Sequence, residues 1–263
     1  MPASIIYLSH GGGPLPLLGD PAHAELVDLL GEMPARLIKP SAIVVVSAHW
    51  EESRPTIVSS AAPALLYDYY GFAEESYEIT YPAPGAPALA ERIAGYCEQH
   101  GLEAQLTQTR GFDHGLFVPL KIMYPDARIA CVQVSLLRGL SPRAHIKLGR
   151  ALRELRQDNV LLVGSGFSFH NMKAFFAPAT SEDAARNAAF EDWLAETCAS
   201  TGIDEAERER RLIEWEAAPA ARYCHPREEH LLPLHVCYAA AGRAAQEVIR
   251  LRILNKQASM YLW

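Results

Sequence analysis

The tightest constraint on this chain is a series of short apolar runs, rich in β-branched residues, with helical patterns between them. Ser4 to Leu8 (SIIYL), Ala42 to Ser47 (AIVVVS), Ile129 to Val134 (IACVQV) and Val160 to Gly164 (VLLVG) are nearly continuous in apolar character. A strand with one wet face alternates in polarity, so runs of this kind suit a sheet covered on both faces. Between them the spacing predicts helices over Ala22 to Met33, Ala86 to His100, Ala144 to Arg156 and Asp183 to Ser200. Pro142 after Ser141 is a start signal for the third of these, and Gly101 a stop signal for the second. Strands alternating with helices predict a three-layer α/β domain. Residues Arg250 to Leu254 and Met260 to Trp263 are expected as late strands at a sheet edge.

A length of 263 residues is ordinary for one such domain and is read here as a single unit over residues 1–263. The formal charge of −7, with no basic stripe, argues against nucleic acid as a partner. The opening MPASIIYLSHGGGP lacks the basic flank and apolar length of a secretory signal, and no run reaches the roughly 18 to 20 apolar residues of a membrane span. The five cysteines are scattered with no CxxC pair, which favours a reducing cytoplasm over a disulfide framework. The charge run from Asp204 to Glu216 reads as a solvated helix face.

Ten histidines remain to be explained. His23, His100 and His145 fall within or beside helical patterns and are expected to be exposed and incidental. The others keep different company. His10 follows the first strand in SHGGGPLPL, where the glycines allow a tight turn or a close backbone approach to a ligand; a phosphate cradle is an alternative, but the lysine of a P-loop is missing. His49 ends the second strand in VVVSAHW, as a ligand or a strand cap. His114 lies in GFDHG, read as a functional loop or a structural Asx-turn. His170 follows the fourth strand in LLVGSGFSFHNM, whose register is wrong for a serine elbow. His225 and His230 flank Glu228 and Glu229 in HPREEH, which is not HExxH, and His235 beyond them is expected in the core. Ligands in open α/β sheets bind beyond the carboxyl ends of strands. Histidines at several such ends can therefore converge, and imidazoles with open positions beside them make a catalytic metal site.

Taken in order, SHGGGP, VVVSAHW, YPAPG, GFDHG, SGFSFHN and HPREEHLLPL resemble the class III extradiol ring-cleavage dioxygenases, in the branch of 4,5-DOPA extradiol dioxygenase-like proteins of the LigB superfamily. The resemblance spans nearly the whole chain. It implies a three-layer α/β/α fold with a mixed central sheet, and His10, His49 and His230 as metal ligands. It implies His170 as the acid/base histidine, with His114 assisting and lining the pocket; His114, His170 and His225 are the candidate substrate contacts. In protocatechuate-cleaving relatives the third ligand is a glutamate, so Glu229 competes with His230 for that place.

The implied activity inserts both atoms of O2 into a single-ring catechol. Three imidazoles suit zinc, but zinc has no redox chemistry, so Fe(II) is expected for activity and Zn(II) as an occupant of purified material. A histidine, titrating near neutrality, can take and return the protons of the diol. Tyr67, Tyr69, Tyr70 and Phe72 either wall an aromatic pocket or form a plain core cluster. Other readings are a zinc-dependent hydrolase acting through metal-bound water and a non-catalytic relative acting as a binding protein. The expected partners are a small catechol and O2, with no nucleic acid or membrane, and a monomer or small homo-oligomer.

Overall fold

A computed structural model describes residues 4–178 and 180–263. Its centre is one eight-stranded sheet. In chain order the strands are β1 (Ile5–Ser9), β2 (Ala42–Glu52), β3 (Thr56–Val58), β4 (Gln105–Thr107), β5 (Ala130–Leu137), β6 (Val160–Gly166), β7 (Glu247–Ile253) and β8 (Lys256–Leu262). They lie in the order β4-β3-β5-β2-β6-β1-β8-β7. The four apolar runs of the sequence form the parallel centre β5-β2-β6-β1. Antiparallel pairs join β3 to β5 on one side, and β8 to β1 and β7 to β8 on the other, so the sheet is mixed. The late hairpin does reach the edge, where β7 is outermost.

The described residues also form nine α-helices: α1 (Ala24–Arg36), α2 (Pro87–Gln99), α3 (His114–Met123), α4 (Pro142–Leu152), α5 (Met172–Phe176), α6 (Ser181–Ala199), α7 (Glu205–Ile213), α8 (Ala221–Cys224) and α9 (Leu232–Ala241). Every residue of β1 and β6 is buried, as two-faced covering requires. Successive residues of β6 show the layering, because side chains alternate across a strand. Gly164 faces α9, where an added Cβ would stand 2.6 Å from the Pro233 carbonyl oxygen. Ser165 faces the other way and donates to the Gly115 carbonyl of α3. Helices thus cover both faces of the sheet. Among the described residues no helix is long and apolar enough to cross a membrane.

The GFDHG segment is not a loop throughout: α3 starts at His114, although the helix contains Pro119. The histidines His23 and His145 are buried rather than exposed. His145 accepts from the Leu137 N–H at 3.1 Å and donates to the Ser141 carbonyl at 2.8 Å, tying the end of β5 to the start of α4. The run from Asp204 to Glu216 contains α7, but it is not wholly solvated. Arg208 is buried, and its guanidinium donates to the carbonyls of Thr197, Ser200 and Ile203. His235 is in the core, as expected.

Candidate functional site

The site is assembled from five segments separated in the chain. His10 follows β1, and its N–H donates to the Gly166 carbonyl of β6 at 3.2 Å. His49 lies within β2 rather than after it. β2 and β5 are in register from Ala42↔Ala130 to Ser47↔Ser135, then slip so that Glu51 meets Leu136. Ala48, His49 and Trp50 fall in that irregularity, which bends the strand and re-aims side chains. His114 opens α3, its backbone N–H held by Asp68 Oδ1 at 3.0 Å. His170 lies past β6 and donates its backbone N–H to the Cys224 carbonyl at 2.9 Å. His230 comes just before α9; its carbonyl accepts from the Phe167 N–H at 3.1 Å and from the Tyr7 hydroxyl at 2.8 Å. Gly166 makes this close approach possible, since a Cβ there would lie 2.1 Å from the His230 carbonyl oxygen.

His10, His49 and His230 come together with one ring nitrogen each within 4.8 Å of the others. The Nε2 atoms of His10 and His49 are 2.9 Å apart. Burial first, and then the neighbouring imidazoles, push all three well below the usual histidine range, so each is neutral at neutral pH.

The outer nitrogens decide which atoms face the centre. His10 Nδ1 lies 2.9 Å from Ser165 Oγ. The single hydroxyl proton of Ser165 is donated to the Gly115 carbonyl, which can only accept. Ser165 Oγ must therefore accept from His10 Nδ1–H, leaving the lone pair of His10 on Nε2. His230 Nδ1 lies 2.9 Å from Glu229 Oε1, a carboxylate oxygen, so its lone pair is also on Nε2. The outer nitrogen of His49 is 3.7 Å from Asp68 Oδ2. Neutral imidazoles with carboxylate or hydroxyl partners behind them are the donor set of a bound divalent cation, and the residues present fit one.

Two further groups of possible ligands flank this triad, His49 with Asp68 and His114, and His170 with Glu229 and His230. Their carboxylates already hold imidazole protons. Asp68 Oδ1 lies 2.8 Å from His114 Nδ1. Burial, the largest single influence, would raise the Asp68 carboxyl, but the hydrogen bonds from His114 and the nearby His114 and His49 imidazoles together outweigh it and hold the carboxyl at about 2. Glu229 Oε1 is shared: it lies 2.9 Å from His230 Nδ1 and 3.0 Å from His170 Nδ1. Burial, again the largest single influence, would raise its carboxyl too, but the bond and charge of His170, with a backbone hydrogen bond and nearby Arg227, together hold it below the usual range. The His170 ring stacks on His230 with centroids 3.4 Å apart.

All five imidazoles line one cavity of about 310 Å³. Tyr69 and Phe72 also line it, whereas Tyr67 bonds the Ile79 carbonyl and packs against the core, and Tyr70 is 91% exposed. The aromatic segment thus divides between the two readings offered for it. His225, expected as a substrate contact, does not line the cavity. Its ring is fully buried, bonded to the Ser168 carbonyl at 2.6 Å and flanked by Phe190 and Trp215. The two histidines of HPREEH face different interiors, and His225 is a packing residue of the α6 side. Asp68, Ser165 and Asp113 were not singled out from sequence as site residues. Asp113 accepts from Ser47 Oγ at 2.8 Å and from Arg110 at 3.0 Å, bracing the start of α3 against β2. Asp68 left one signal, a carboxylate set inside an aromatic run; Ser165 left none.

The family model described as the catalytic LigB subunit of aromatic ring-opening dioxygenase matches residues 6–259. The chain belongs to the LigB family. Dioxygenase tasH of Hapsidospora irregularis is 41% identical to this LigB chain over 256 residues, covering 91% of it and 78% of the relative. The 4,5-DOPA dioxygenase extradiol of Beta vulgaris is 38% identical, over 78% of this chain and 74% of that one. The Escherichia coli K12 protein of the same description is 31% identical, over 96% and 89%. A crystal structure of an uncharacterized Escherichia coli K12 protein superposes with a TM-score of 0.77 at 27% identity, across 98% of this chain and 99% of that one. These matches place the LigB chain in the class III extradiol branch, among dioxygenases that use O2 and a small molecule.

Proposed function

We propose that residues 1–263 act as one catalytic domain that opens a single-ring catechol with O2 by extradiol cleavage. His10, His49 and His230 would hold the metal, Fe(II) in the active form, and Zn(II) fits the same three imidazoles in purified material. The observation that supports this best is the convergence of three buried neutral imidazoles, with two more imidazoles facing the same cavity. Bound Fe(II) would supply the redox chemistry that makes dioxygen reactive toward the ring, which zinc lacks.

The chain's own residues would manage protons and position. His114 and His170 each engage a carboxylate through Nδ1, which leaves Nε2 as the nitrogen able to meet a diol hydroxyl. His170 would take a proton from the diol and return it as the ring opens, with His114 holding the substrate from the opposite wall. Tyr69 and Phe72 would bound the ring and keep water away. The ring carbon–carbon bond beside the diol breaks, both oxygen atoms of O2 enter the product, and no outside reductant is consumed. Five free, buried cysteines are in keeping with a cytoplasmic location.

Anaerobic reconstitution with Fe(II), followed by oxygen uptake on a catechol panel, tests the reading. One O2 consumed per catechol, with a semialdehyde product and no turnover with Zn(II), is the expected result. Hydrolysis by the zinc form without oxygen uptake would replace it with the hydrolase reading.

A further inference from the structure

Resting on that reading, we infer that the substrate is a catechol bearing an uncharged, apolar substituent, not an amino-acid catechol such as DOPA. Among the described residues, no lysine, arginine, aspartate or glutamate side chain lines the cavity. Its polar lining is the five imidazoles and the backbone of the glycine loop. The one phenol, Tyr69, donates its hydroxyl outward to the Ser76 carbonyl at 2.6 Å and offers the cavity only its ring.

An amino-acid substituent carries a carboxylate and an ammonium, and each needs a partner once taken from water. The nearby charges give no such pair. Asp68 and Glu229 stand directly behind the imidazoles, so an incoming carboxylate would meet like charge. Arg227 is bound to Glu51 at 2.7 Å and faces Glu229 at 3.4 Å, and Lys173 is exposed outside the lining.

What the cavity does offer is hydrocarbon. Leu15, Phe72, Phe175 and Leu254 line it, and Met172 and Phe176 on α5 continue that surface toward solvent. Met172 is 53% exposed and Phe176 80%, large apolar groups left open beside the cavity. An alkyl or aryl substituent lying along α5 would cover them, and burying such surface favours binding. An amino-acid head group would instead leave them wet and its own charges unpaired.

Isothermal titration of the Zn(II)-loaded protein, without turnover, tests this with catechol, 4-butylcatechol and L-DOPA. Burial of the butyl chain is expected to tighten binding about tenfold or more over catechol. L-DOPA is expected to bind no more tightly than catechol. In the double variant Met172→Ser, Phe176→Ser, on an exposed helix face, the ratio of 4-butylcatechol to catechol affinity should fall severalfold. L-DOPA binding as tightly as 4-butylcatechol, or an unchanged ratio in the variant, overturns the inference while leaving the catechol reading intact. If none of the three ligands binds, the catechol reading itself fails, and this inference with it.

Discussion

Replacing Glu229 by glutamine separates the roles of the two neighbours in HPREEH. In the structure Glu229 does not join the imidazole triad; one oxygen accepts from both His230 Nδ1 and His170 Nδ1, at 2.9 and 3.0 Å. Glutamine keeps the shape and an accepting oxygen but loses the charge. Hydrogen bonds to charged groups contribute about 1.5–3 kcal/mol and neutral ones about 0.5–1.5, so each bond should weaken by roughly 1–1.5 kcal/mol. Only the bond to His230 acts on a metal ligand, and that difference is about tenfold in affinity. Changes to groups behind a ligand commonly cost about 10–100-fold, which brackets the same value. Glu229→Gln should therefore weaken metal binding by about 10–100-fold, and His230→Ala, which removes the donor atom, by far more. Competition with a chromophoric chelator measures both, with circular dichroism to establish that the variants are folded. An empty site in Glu229→Gln beside a filled one in His230→Ala would refute the assignment and make Glu229 the third ligand.

Other consequences can be measured independently. His170→Ala should keep its metal but lose about a hundred- to ten-thousand-fold in turnover, the usual contribution of a general acid/base; loss of the metal would make His170 a ligand instead. Gly166→Ala places a methyl 2.1 Å from the His230 carbonyl oxygen and should cost about 1–3 kcal/mol of stability together with metal affinity, whereas unchanged metal content and unfolding midpoint would show that the segment yields freely. Burial lowers His145 from the ordinary 6.5 to about 4. Its neutral form belongs to the folded state, so its contribution is complete above pH 6.5 and is lost as pH falls toward 4, by up to about 3 kcal/mol. Urea unfolding of His145→Gln should show a correspondingly shallower loss between those values, and a slope equal to the parent's would dismiss the idea.

The centre of the fold was legible because strands buried on both faces cannot hide their composition. β1, β5 and β6 begin within a residue of where the apolar runs place them. β3 and β4, at three residues each, are too short to show a period, and β2 continues through a polar AHWEE stretch where its pairing slips. The glycines and Pro119 disguised α3, since both discourage a helix by local propensity, and the tertiary contacts of Asp113 override them. The histidines of the candidate site stood out because strand ends, glycines and prolines mark functional turns. His23 and His145 carry no such mark: helical patterns announce which face is apolar, not that an imidazole serves the backbone. His23 accepts from the Gly12 N–H at 3.0 Å and so shapes the very loop that carries His10. Asp68 and Ser165 act only across elements far apart in the chain, and local sequence carries no trace of that.

The proline inside α3 reaches further than its own helix. Having no N–H, Pro119 cannot bond the Gly115 carbonyl four residues earlier, and that carbonyl is the one Ser165 fills. A missing proton at one position is therefore handed along a relay: Ser165 surrenders its own, and His10 must supply the next. In Pro119→Ala a backbone N–H would compete for Gly115, and the nitrogen-15 shifts of His10 would report a mixture of its two neutral forms; a single unchanged form would disprove the relay. The tautomer that His10 presents to the cavity is, on this reading, written into an amide that the chain does not have.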